Sequence, residues 1–475
     1  MMRTVLPLAA ALALGACVAG PPPVIDTAPP VLPLQFAFAP DQGIQASVAN
    51  LLPSGDPAYR SLAALALAEA PTLAQAAARI EQARAQAAGA GANRLPSLGA
   101  DAAVTGSRIN PAQFGGALPG GISIDTEQVS YGANLRASWD PDLFGRLRAQ
   151  ERAAIARIDA ADAEAGAVRN ALLAEIAGAV IDSRTLDARL AALQQDLAAA
   201  EDLARLAGSR ERAGIAPGFD RVRAESTAEA SRTRIAALAS DRARLVGRLV
   251  TLTGQSAQDV RAALLQPAPA LAQPQAPATL PSALLANRPD VLAAEAQLRA
   301  ADADLAATAA RRFPQFTLSA ALGLLAFDLA DLFDENSVVG SVGGSLLAPL
   351  LDFGRIEAEI DASAAGKRLA FAGYRNAIFT ALGDAEAGYG LVAAADNQLA
   401  AATREYAAAS RAAKIADTRY RAGLSDFLTV LEARRAADAS GERVAIARGQ
   451  AERARVILWQ ALGGDGQPTS RSTSQ

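Results

Sequence analysis

The sequence predicts a mainly α protein that also contributes strands to a transmembrane β-barrel, built as two copies of one plan. Three observations carry this. The chain is 51% apolar but only 4% aromatic, and alanine supplies most of the apolar residues. Alanine favours helix yet buries little area per residue, which suits long, closely spaced helices better than a globular core. Against that background residues 128–139 read QVSYGANLRASW: Val129, Tyr131, Ala133, Leu135, Ala137 and Trp139 are apolar and the positions between are polar or glycine. This is the period of a strand with one apolar face. Finally, landmarks recur at a single offset. Phe144-Gly145-Arg146 returns as Phe353-Gly354-Arg355 (355 − 146 = 209), and Arg212-Ala213-Gly214 returns as Arg421-Ala422-Gly423 at the same offset.

The amino terminus, MMRTVLPLAAALALGACVAGPPP, places Arg3 before an apolar run from Val5 to Leu14 that is too short to span a bilayer as a helix. Leu14-Gly15-Ala16-Cys17 resembles the bacterial lipobox, so residues 1–16 are expected to be a lipoprotein signal peptide and Cys17 the lipid anchor. An ordinary signal peptide with an incidental cysteine is the alternative. Val18 and Ala19 stand where an aspartate would retain a lipoprotein in the inner membrane, so the expected address is the outer membrane of a Gram-negative bacterium. Residues 17–58 are then anchor and tether, proline-rich and extended from Pro21 to Pro40.

The first repeat is expected over 59–265 and the second over 282–463. They are joined by QPAPALAQPQAPATLP (266–281), whose five prolines forbid a helix, and a polar tail follows at 464–475. Each repeat is expected to run helix, strand, loop, strand, helix, turn, helix. Strands are expected at about 97–107, 128–139, 316–325 and 338–348. No proline interrupts Arg146 to Ala216, so a single helix of about 100 Å can form there. Within it Leu186, Leu190, Leu193 and Leu197 make a 4-3-4 seam, with charges such as Asp187, Arg189 and Asp196 between. Such a helix needs neighbours along its whole length. Four strands cannot close a barrel, and an open edge is not tolerated in lipid. Three chains would give twelve strands. Arg136 falls on the polar face, in the lumen if Trp139 faces lipid; a snorkelling arginine at the membrane rim is the other reading.

The balance of 45 basic and 49 acidic residues gives no reason to expect nucleic acid. With no histidine and one cysteine there is no usual zinc site, no histidine-based triad and no disulfide within the chain. Gly366-Lys367 is followed by Arg368 and lacks the upstream glycine of a phosphate loop. No enzymatic activity, cofactor or metal is therefore expected. The informative places are two helix-to-helix turns, RERAGIAPGFD (210–220) and RYRAGLSDFL (419–428). Gly214 and Gly423 are expected to end helices in the left-handed conformation, with Pro217 and either Ser425 or Asp426 starting the returning helices.

WDPDLFGRLR, NRPDVLAAEAQLRAADADLAATAARRFPQFTLSAALG, DFGRI and YRAGLSDFLTVLEARRA, in this order, closely resemble the outer-membrane efflux proteins of the TolC/OprM type, in particular the lipid-anchored OprM-like (NodT) branch. The resemblance covers about residues 60 to 463. It implies a homotrimer with four strands per chain in a shared twelve-strand barrel and a long periplasmic α-helical barrel. It also implies a passive exit duct for drugs or other small toxic compounds, working with a periplasmic adaptor and a proton-driven inner-membrane transporter of the resistance–nodulation–division type. The turns would form the periplasmic tip, where Gly214, Ile215, Ala422, Gly423, Leu424 and Ser425 would dock the adaptor. By the same resemblance Tyr420 would bond Asp220 of a neighbouring chain to hold the pore shut. TolC's further basic and acidic gate positions are occupied here by Ser425 and Thr429. A duct for type I protein secretion uses the same fold and is the alternative. A structural periplasmic coiled-coil lipoprotein is a distant one, since it has no use for paired alternating strands.

Overall fold

The computed structural model describes residues 24–40, 47–108, 110, 127–267, 273–279 and 281–464. Cys17, the signal sequence and residues 465–475 lie outside the described residues. In chain order the elements are α1 (Pro57–Glu69), α2 (Pro71–Ala92), β1 (Ser97–Arg108), β2 (Glu127–Trp139), α3 (Arg146–Arg212), α4 (Gly218–Thr253), α5 (Ala257–Leu264), α6 (Pro281–Asn287), α7 (Pro289–Ala309), β3 (Gln315–Ala326), β4 (Val338–Leu347), α8 (Arg355–Arg421) and α9 (Phe427–Ala461). Helices α3 and α8 each have 67 residues. The sequence repeat has become a repeat of element length.

The chain divides into two compact units, and each draws on both repeats. One comprises Ile80–Asp159 and Glu295–Ala372; the other comprises Pro29–Arg79, Ala160–Ala294 and the residues from Gly373 on.

The first unit holds the sheet. It is antiparallel throughout, in the order β1-β2-β3-β4. The register sets Leu135 opposite Ala100 on one side and Leu322 on the other, and Ala137 opposite Leu98 and Ala320. Ala320 in turn faces Val342. Because side chains alternate along each strand, Leu98, Val104, Val129, Leu135, Leu318, Leu322, Val342 and Leu346 share one face, apolar from edge to edge and exposed. The opposite face carries Asp101, Asn134 and Arg136, with Arg136 Nε 2.8 Å from Asp101 Oδ1. Trp139, at the strand end, donates its Nε1–H to the Arg94 carbonyl at 2.9 Å.

Each long helix starts at a carboxylate that the sequence reading passed over. Asp142 accepts from the backbone N–H of Leu147 and Arg148, both at 2.8 Å, and Asp352 accepts from that of Ile356 at 2.8 Å. These bonds satisfy orphan donors of the first turn. They hold Asp352 below the usual carboxylate range. Gly145 and Gly354, at φ 76° and 84°, let the chain turn from strand to helix.

In the second unit the core runs between helices, with Leu62, Ile176, Leu249, Ile378, Leu458 and Trp459 fully buried. The seam is partly as expected: Leu186 and Leu193 are buried, while Leu190 and Leu197 are half-buried. The proline-rich segment is non-helical but not a free tether. Phe36 is 3% exposed and packs on Tyr389 with ring centroids 5.6 Å apart, and the Ala37 N–H donates to Glu386 at 2.8 Å. The Tyr389 hydroxyl donates to the Pro277 carbonyl in the inter-repeat linker at 2.8 Å. One side chain thus fixes both proline-rich stretches.

Candidate functional site

The two turns have one geometry. Gly214 and Gly423 lie at φ 73° and 75°. In the first turn Gly214 N–H donates to the Glu211 carbonyl at 2.9 Å and Ile215 N–H to that of Arg210 at 3.0 Å. In the second, Gly423 N–H donates to the Tyr420 carbonyl at 3.0 Å and Leu424 N–H to that of Arg419 at 2.8 Å. This paired pattern satisfies the last carbonyls of α3 and α8 and requires a left-handed residue at the glycine. The returning helices start differently. Asp426 accepts from Thr429 N–H at 2.7 Å and caps α9, whereas Pro217 precedes α4 with no side-chain cap. The Ser425 hydroxyl is buried and has no hydrogen-bond partner among the described residues.

Beyond each glycine an aliphatic side chain points outward: Ile215 is 74% exposed and Leu424 67%. Ala422, Gly423 and Phe219 are exposed as well. Behind this apolar tip, Leu203, Ala207, Ala224, Tyr420, Phe427 and Leu431 form a small buried cluster.

Tyr420 belongs to that cluster. Its ring meets Phe427 edge-on at 5.9 Å, and the Arg210 guanidinium sits 4.1 Å from its centroid. The phenolic oxygen is buried without a partner among the described residues. Asp220, half-buried in the first turn of α4, is pushed above the usual carboxylate range by burial, against the nearby Arg223. Tyr420 and Asp220 thus sit at one end of the helical hairpins without a mutual bond inside the chain. Sequence reading missed Arg210, whose partner is in the other repeat, and the exposed Phe219, which lies under Arg223 at 5.5 Å. It also missed Asp417, which accepts from Arg421 at 2.7 Å and Arg434 at 2.9 Å and thereby ties α8 to α9.

The comparisons with known proteins fall on the same elements. A family model described as "Outer membrane efflux protein" matches residues 62–255 and 280–464. The chain belongs to the outer membrane efflux protein family. Among curated relatives, the pyoverdine export outer membrane protein OpmQ of Pseudomonas aeruginosa is 34% identical over 414 residues, covering 86% of each chain. The outer membrane protein OprJ of the same species is 33% identical, covering 86% of this chain and 84% of its own. Among solved structures, the outer membrane protein VceC of Vibrio cholerae superposes with a TM-score of 0.81 at 26% identity, covering 88% of this chain and 99% of that one.

As a member of this family the chain is an outer-membrane efflux channel component and not an enzyme. Its fold is that of the TolC-type channels. Among the described residues no helix is long and apolar enough to cross a membrane. The exposed apolar face of the sheet is the surface suited to lipid.

Proposed function

We propose that three copies of this chain close a twelve-strand barrel in the outer membrane and continue as a helical duct into the periplasm, forming the passive exit of a tripartite efflux pump. The sheet carries this reading. It has four strands and one apolar face, and among the described residues β1 and β4 pair on one side only. An unsatisfied backbone group in hydrocarbon costs several kcal/mol; repeating the sheet three times around an axis removes every edge. The family's channel role and the names of the relatives, one of which exports pyoverdine, support a small-molecule cargo. The turns at Gly214-Ile215 and Ala422-Gly423-Leu424-Ser425 dock a periplasmic adaptor, and a proton-driven inner-membrane transporter supplies the energy. Tyr420 and Asp220 take part in the resting gate, and Cys17 anchors the mature chain in the outer membrane.

The mass of the detergent-solubilised protein tests this directly. It should correspond to three chains, and the wild-type gene should restore efflux in a deletion strain only when adaptor and transporter are also present. A folded, membrane-inserted monomer would overturn the barrel. Mass spectrometry of the mature protein should find Cys17 acylated; an unmodified residue 17 would remove the anchor and leave the barrel standing.

A further inference from the structure

Asp196 on α3 and Asp438 on α9 line one cavity where the α3–α4 hairpin meets the α8–α9 hairpin. Asp196 is 9% exposed, and its Oδ2 is buried with no hydrogen-bond partner among the described residues. Both aspartates border a cavity of about 400 Å³ between α3, α8 and α9. A buried carboxylate in such a place ordinarily has an arginine.

The internal repeat shows which arginine is missing. Shifted by 209 residues, Asp196 corresponds to Glu405, and Arg234 to Arg443. In the second repeat Arg443 holds Glu405 at 2.5 Å. In the first, Arg234 of α4 donates to Ser231 Oγ at 3.1 Å and lies 3.9 Å from Glu442, so that it offsets the burial of both aspartates by its charge without bonding either. Glu442, one turn beyond Asp438 on α9, is also held by Arg189 of α3 at 2.6 Å. On the remaining sides, Arg434 of α9 is bound to Asp417 of α8 at 2.9 Å, and Lys414 and Tyr406 of α8 line the cavity. No salt bridge among the described residues reaches Asp196 or Asp438. Two carboxylates meeting in this way repel; a carboxylic acid and a carboxylate form a strong hydrogen bond.

We propose that Asp196 and Asp438 share one proton as a clasp between the two helical hairpins, and that release of this proton loosens the hairpins and favours the open pore. Burial, and then the contact with Asp438, pushes Asp196 up to about 7; burial raises Asp438 as well. The pair titrates as a unit. Because both folded-state values lie above the unfolded one, proton binding by the pair stabilises the fold on the acid side, and the clasp is lost as pH rises through about 7. An acidified periplasm would hold the duct shut.

The clasp rests on the duct reading only for its effect on the pore, so two readouts are needed. The purified full-length protein is followed in a chelator, which removes divalent ions as an alternative bridge, from about pH 5.5 to about pH 8.5 across the pair's titration. Wild-type melting temperature should fall and bilayer conductance should rise across that range. Asp196→Asn and Asp438→Asn each replace the shared proton by an amide N–H, and both profiles should lose most of their slope, the remainder belonging to other buried carboxyls such as Glu452. If one variant fails to assemble, the other carries the same comparison. A wild-type melting profile without a slope, or a slope as steep as wild type in either assembled variant, overturns the clasp. Absence of any conducting pore would count against the duct reading, while the melting profiles would still decide the clasp.

Discussion

The guanidinium of Arg210 lies 4.1 Å from the ring centroid of Tyr420, and its Nη2 donates a 2.8 Å hydrogen bond to the Tyr420 carbonyl oxygen. The two residues come from different repeats, so this contact fastens the turn at Gly214 to the turn at Gly423. Arg210→Ala removes a cation–π contact and a charged hydrogen bond, together about 2–3 kcal/mol. It should leave trimers intact and raise both conductance and sensitivity to large antibiotics.

Tyr420→Phe deletes a hydroxyl that is buried and without a partner among the described residues. Stability should therefore stay within about 1 kcal/mol of wild type. Combined with Asp220→Ala it should still raise single-channel conductance if the two groups meet in the resting gate. An unchanged conductance in an assembled double variant would remove the gate assignment.

The sheet offers a test by neighbouring residues. Val342 lies on the apolar face opposite Ala320, and Ser341 lies on the other face opposite Ala321. Arginine on a lipid face near mid-membrane costs about 2–4 kcal/mol, and far less in a wet lumen. Val342→Arg should sharply reduce heat-resistant trimer in outer-membrane fractions, and Ser341→Arg should not. Equal losses would mean that the faces have been assigned wrongly.

Much of this fold was legible because its signals are periodic. Strand alternation placed β2 to within a residue, and the absence of proline from Arg146 to Ala216 announced the whole of α3. What stayed hidden depends on contacts distant in sequence. Asp196 looks like any solvated charge beside a leucine seam, and only the approach of α8 and α9 buries it. The prolines before Pro40 declare the lack of a helix, but not that Phe36 would find Tyr389 more than 300 residues away. Arg210 carries no local mark of its place over Tyr420. At Asp142 and Asp352 a signal did exist: each carboxylate stands just before a Phe-Gly-Arg turn, at capping distance from the helix it starts.

Acid stability should depend on Arg288, which is 7% exposed and bonds Asp290 at 2.5 Å, Asp384 at 3.0 Å and the Ala461 carbonyl at 3.0 Å. Burial by itself would raise Asp290, but the bonds and charge of Arg288 outweigh it and leave that carboxyl below its ordinary value. A depressed carboxylate contributes stability above its unfolded value and loses it as pH falls through the folded one. Arg288→Met should cost about 1–3 kcal/mol at neutral pH, chiefly by leaving the buried Ala461 carbonyl without its donor. The Asp290 and Asp384 side chains are 43% and 50% exposed and well screened. The substitution should also flatten the loss of stability on acidification, which starts near the ordinary aspartate value and runs down through the depressed Asp290 value. Chemical denaturation at several pH values measures both effects.

The tip separates docking from folding most cleanly. Leu424 is 67% exposed and its backbone N–H closes the second turn on the Arg419 carbonyl, so its side chain supports nothing within the chain that its backbone does not already supply. Leu424→Asp keeps that hydrogen bond and should leave melting within about 0.5 kcal/mol of wild type, as expected of exposed positions. Against an adaptor, however, it removes an apolar anchor and buries a charge. Gly423→Val acts on the backbone instead: a branched residue at φ 75° costs about 1–3 kcal/mol of strain, so both the turn and efflux should suffer. With trimer levels matched by immunoblot, Leu424→Asp should abolish efflux and adaptor crosslinking while preserving conductance. Ile215→Asp should do less, because Pro217 gives the first turn a different exit. Normal efflux in an assembled Leu424→Asp trimer would place the docking surface elsewhere.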